Sequence, residues 1–186
     1  LWLYTYIVYA GFLFRYKDGQ ALALLDKGIT LCDSHQSDSS VAAMSVTAYT
    51  YKASYLNYIG KHEEALEWFE KTLDYCLLHN DIINAIGVCR NIITISILNS
   101  TQETGSMLLY KLLPHLSTME DESLKHTDFA LIAAFLLSYD KNMTKSGRQD
   151  IEERMKRIYG ESWASQATMQ LQQIKTPKQP NIDEFS

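Results

Sequence analysis

Gly60-Lys61-His62-Glu63-Glu64-Ala65-Leu66-Glu67-Trp68-Phe69-Glu70-Lys71-Thr72-Leu73 is the stretch whose reading decides the fold. From 63 to 78, Ala65, Leu66, Phe69, Leu73 and Cys76 recur at intervals of three and four, the period of one helix face. Residues 41–58 carry a long apolar period of the same kind. Between the two segments stands Gly60, the residue type best suited to the left-handed conformation that ends a helix. The stretch therefore predicts two antiparallel helices joined by a tight turn.

The hairpin has a counterpart upstream. Shifted by 44 residues, Lys17, Ala21, Leu22, Lys27, Cys32 and His35 fall on Lys61, Ala65, Leu66, Lys71, Cys76 and His79. Leu25 meets Phe69, Asp26 meets Glu70 and Ile29 meets Leu73. Internal similarity at such a period marks stacked supersecondary units, each unable to bury its apolar face alone.

Further hairpins follow downstream. Asn80-Asp81 is placed to cap a helix over 82–98, and Ser100 with Glu103 reads as a capping box for 103–115. Segments 124–139 and 147–159 make another pair, with Ser146 and Gln149 boxing the second and Gly160 ending it. The expected architecture is all-α. It has about nine helices over 1–174, in hairpins at about 1–35, 40–79, 81–118 and 122–160 with a terminal helix at 161–174. A polar tail, 175–186, contains Pro177 and Pro180 and is expected to be flexible.

The quoted stretch resembles the tetratricopeptide repeat. That family places a glycine at the turn, an alanine five residues on and an aromatic four beyond, as Gly60, Ala65 and Phe69 do. Ala53 and Tyr49 fall on the small and aromatic positions of its first helix. Thr72 stands where the family has a small residue, no proline closes the repeat, and the spacing is 40–44 residues against the usual 34. Ala21 and Gly105 hold the turn-proximal position in the neighbouring copies. The resemblance implies a right-handed superhelix of stacked hairpins whose first helices line a concave groove. Long-helix arrays of this kind are similar to the sensor domains of bacterial peptide-responsive regulators, and to secretion chaperones.

On those first helices, polar residues spaced three and four apart share one stripe. Thr47, Thr50, Ser54 and Asn57 form one; Asn84, Gly87, Asn91 and Thr94, with Arg90 beside them, form the other. Carboxamides both donate to and accept from a peptide backbone, and a guanidinium pairs with a carboxylate in bidentate fashion. The candidate peptide-binding residues are Thr50, Ser54, Asn57, Asn84, Arg90, Asn91 and Thr94. Gly87 admits two readings, close ligand approach or tight packing of two helices, and the second is the more common. The N-terminal aromatics Trp2, Tyr4, Tyr6 and Tyr9 suit an apolar side chain of a bound peptide or, the more common case, a contact with another segment or with a second copy in a homodimer.

Other function classes find little support. A net charge of −5 does not suit direct contact with nucleic acid, which needs clustered Lys and Arg. The apolar run 1–14 is shorter than the ~18–20 residues of a membrane span. Three cysteines, an odd number on helical segments, suit free thiols in a reducing cytoplasm. The chain lacks an initiator Met, which is expected of a piece of a longer protein. Cys32-x-x-His35 and Cys76-x-x-His79 resemble a zinc set, but equivalent positions on stacked helices lie ~8–10 Å apart, too far for ligands ~2 Å from one ion. The acidic pairs Asp121/Glu122 and Glu152/Glu153 point apart on a helix. The chain is expected to be a binding module with a peptide or protein partner, with no catalytic residues, no metal and no cofactor.

Overall fold

The computed structural model describes residues 2–15, 19–35 and 39–175. All regular structure among them is helical. The helices are α1 Trp2–Arg15, α2 Gln20–Ser34, α3 Ser39–Tyr58, α4 His62–Leu78, α5 Ile82–Leu98, α6 Gln102–Tyr110, α7 Leu113–Ser117, α8 Asp121–Lys125, α9 Phe129–Tyr139, α10 Lys145–Tyr159 and α11 Trp163–Lys175. The expected tail lies outside the described residues beyond Lys175. The chain forms two compact units, 1–92 and 93–186, with the boundary inside α5.

In the first unit α1 packs on α2 and α3, α2 on α3, and α3 on α4. Ala21, Leu25, Ile29 and Cys32 of α2 are buried, and so are Ala65, Phe69, Leu73 and Cys76 of α4. The apolar part of the 44-residue self-match is thus a match between two buried faces, while its pairs Lys27/Lys71 and His35/His79 are exposed. The aromatic ring of Tyr49 lies between α2 and α4. Its hydroxyl donates to Asp33, and its ring meets those of Trp68 and Tyr75 at 5.7 Å each. Lys71 Nζ sits 4.3 Å from the Tyr49 ring centre, and Lys52 Nζ 4.0 Å from that of Trp68. Lys52 also binds Asp26 at 2.5 Å. This cluster fastens three helices through cation–π and charge-assisted contacts.

The turns follow a regular count. Gly60, Asn80 and Ser100 have φ of 82°, 56° and 58°, so a left-handed residue closes a helix every 20 residues. Behind each, an amide reaches back five positions: Lys61 to the Leu56 carbonyl at 2.9 Å, Asp81 to Cys76 at 2.8 Å, and Thr101 to Ser96 at 2.9 Å. This bond satisfies a carbonyl that the helix end leaves without a partner. Asp81 then caps α5 as expected, accepting from the Asn84 amide at 3.3 Å.

The second unit is organised around α9. Every residue from Phe129 to Leu136 is buried, as a helix apolar on all sides requires. It packs on α6, α8, α10 and α11.

Several expectations are corrected here. Eleven helices stand among the described residues, not nine. The segment 103–115 breaks after Tyr110 because Pro114 opens a new short helix, α7, a position where its missing N–H costs nothing. The segment 124–139 is interrupted at 126–128, where Thr127 Oγ1 donates back to the Leu124 carbonyl at 2.7 Å. Ser100 is the closing residue of α5, not the cap of α6, and Thr101 fills the cap position with no side-chain bond. The cap of α10 is Thr144, whose hydroxyl accepts from the Gly147 amide at 3.1 Å; Ser146 lies inside the helix.

Candidate functional site

The α5 stripe lies on the open side of its helix. Asn84, Gly87 and Arg90 are exposed and Asn91 and Thr94 half-buried. Buried Ala85, Ile86, Val88, Cys89, Ile92 and Ile93 occupy the other faces. A Cβ built on Gly87 would meet no atom of the described residues within 4 Å. Tight helix packing therefore does not account for this glycine.

On α3, Thr47, Thr50, Ser54 and Asn57 are half-buried along one face. The three carboxamides each have a local partner. Asn57 Oδ1 lies 2.8 Å from His62 Nδ1. Asn84 Nδ2 donates to Asp81 at 2.7 Å, and Asn91 Nδ2 to the Gly87 carbonyl at 3.4 Å. A carboxamide has two donor hydrogens and an acceptor oxygen, so these bonds orient the groups without saturating them. Each stripe is thus assembled along its own helix. Thr94 continues the α5 stripe but belongs to the second unit.

The Cys and His pairs do not converge. Cys32 and Cys76 are buried while His35 and His79 are exposed. His35 Nδ1 lies 3.0 Å from the Leu31 carbonyl, and the His79 ring rests 4.4 Å from that of Tyr75. Burial pushes the thiols of Cys76 and Cys89 up to about 12, which keeps them protonated and poorly nucleophilic at neutral pH. Three of the four acids in the adjacent pairs are occupied structurally. Asp121 is bound by Arg157 and Arg154, and their hydrogen bonds hold its carboxyl below the ordinary range, Arg157 contributing most. Glu122 meets His126 at 3.5 Å and Glu152 meets Arg148 at 3.9 Å. Of the N-terminal aromatics, Tyr4 is 61% exposed and Tyr9 52%; Tyr6 is half-buried, and the side chain of Trp2 lies outside the described residues.

Sequence reasoning missed two cavities in the second unit. One, of about 510 Å³, is walled by Leu113, Leu116 and Ser117 of α7 and by Gly147, Asp150, Ile151 and Arg154 of α10, with Phe129 and Met143 among the residues closing it. The other, of about 500 Å³, is more polar and includes Glu103, Ser106, Met107, Tyr139 and Lys141. Tyr110 and Asn142 border both, and the Tyr110 hydroxyl donates to Asp140. The spacings 113/116/117 and 147/150/151/154 each announce a helix face, but nothing local tells that the two faces meet across a gap.

No protein-family model matches the chain, and no curated protein or solved structure matches it. No helix among the described residues is long and apolar enough to cross a membrane.

Proposed function

We propose that this chain is a peptide- or protein-binding helical repeat domain of tetratricopeptide type, the ligand-sensing part of a larger bacterial regulator working in the cytoplasm. An extended peptide lies along Thr50, Ser54 and Asn57 of α3 and Asn84, Arg90 and Asn91 of α5. The carboxamides pair with its backbone and Arg90 with a carboxylate. Thr94, in the second unit, is not required by this reading.

The observation that carries it is Gly87. A glycine inside a helix costs ~1 kcal/mol against alanine, and here no atom of the described residues needs the space. A ligand backbone approaching between Asn84 and Asn91 gives the missing side chain a purpose. The buried thiols are consistent with a reducing compartment.

Titration calorimetry with a library of short peptides tests the proposal. Arg90→Ala and Asn91→Ala are each expected to weaken binding about tenfold, a change of ~1.4 kcal/mol. Unchanged affinity in both variants would remove the site.

A second reading has its own observation. Tyr4, Val8 and Tyr9 are large, exposed and on one helix, which suits a scaffold or dimerisation module docking through α1. Sedimentation of the intact chain as a monomer at high concentration would count against the homodimer form of it.

A further inference from the structure

The cavity of about 510 Å³ between α7 and α10 lies within the size range of small-molecule sites, ~300–1,000 Å³, and belongs to neither reading above. Its body is apolar: Leu113, Leu116, Phe129, Met143 and Ile151. The positions contributed by α10 and by α7 fall at intervals of three and four, so one face of each helix is turned to the space.

The wall holds one cation and one anion among the described residues. The cation, Arg154, has its guanidinium committed. It donates to the Leu116 and Met119 carbonyls, both at 2.6 Å, and to Asp121 at 3.1 Å. Its plane also lies 5.6 Å from the Phe129 ring centre. These bonds fix Arg154 as a strut between α10 and the α7–α8 connection, not as a receptor for an anion. Asp150 also lines the cavity. It is exposed and takes part in no ion pair or hydrogen bond among the described residues. An apolar pocket with one unneutralised carboxylate at its edge complements an apolar body carrying a single positive charge.

We propose that this cavity binds a small organic cation, its hydrocarbon or aryl body against Leu116, Phe129 and Ile151 and its protonated amine at Asp150. The test is calorimetric titration of the full chain, at neutral pH and low salt, with 4-phenylbutylamine, 4-phenylbutanol and 4-phenylbutyrate. These probes share a body and differ only in head group. The amine is expected to bind tightest, about fivefold over the alcohol, as for one ion pair near the surface, and the butyrate weakest. Asp150→Asn should bring the amine down to the alcohol and leave the alcohol unchanged. Ile151→Trp should abolish binding of all three while circular dichroism remains native. Three outcomes would overturn the proposal: no binding by any probe, butyrate equal to the amine, or an amine preference that survives Asp150→Asn. If Ile151→Trp fails to fold, the Asp150→Asn comparison alone decides.

Discussion

Replacing Gly87 by alanine tests the open face of α5 and the ligand reading together. The substitution adds one methyl at an exposed interior position of a helix. The built Cβ meets nothing among the described residues within 4 Å, so there is no overpacking to subtract. It buries no apolar surface either, which leaves backbone propensity as the only large contribution. Alanine is better than glycine there by ~0.8–1.0 kcal/mol. With a urea slope of ~1–3 kcal/mol/M, the midpoint for unfolding of the first unit should rise by about 0.3–1 M, read by far-UV circular dichroism. Peptide binding should fall in the same variant, because the methyl stands where the ligand's backbone approaches. A lower midpoint would refute the claim that this face is open. A higher midpoint with unchanged peptide affinity would leave the face open but take away the ligand argument.

The same exchange at Gly105 should act in the opposite direction. A Cβ there would lie 2.3 Å from Ser96 Oγ and 2.8 Å from Ser96 Cβ, with Phe135 at 3.2 Å, and Ser96 is itself buried; chemical denaturation should show a loss of ~1–3 kcal/mol. Alkaline pH should also weaken the fold. Cys76 and Cys89 keep their protons up to about 12 in the native state, against an ordinary value of 9.0, so between those limits the unfolded chain binds fewer protons than the folded one. Their contribution is complete below pH 9 and is lost as pH rises toward 12, at about 1 kcal/mol per pH unit for each thiol. In urea titrations at several pH values, Cys89→Ala should flatten that slope by one thiol's share.

The first unit was largely legible because its signals are local. Gly60 and the buried set Ala65, Phe69, Leu73 and Cys76 state a turn and a face within seventeen residues, and the structure uses them so. The second unit was less legible for physical reasons. Ser100 has the chemistry of a cap, yet its place in the count that began with Gly60 assigns it a left-handed backbone, which serine adopts less readily than glycine or asparagine. Pro114 falls near the end of the expected helix 103–115, but in the structure it opens the short helix α7, where its missing N–H is tolerated. The polar stripes on α3 and α5 were found because helical spacing announces them. The cavity between α7 and α10 was not, because it depends on where two distant faces come to rest.

The three left-handed closures at 60, 80 and 100 make segment length a carrier of information in its own right. One residue added inside α4 or α5 would swing every later side chain of that helix by about 100°, moving Phe69 or Ile92 outward and drawing charged neighbours inward. Tolerance to insertion should therefore be confined to the turn residues themselves, and variation in this chain should proceed by exchange of side chains rather than by change of length.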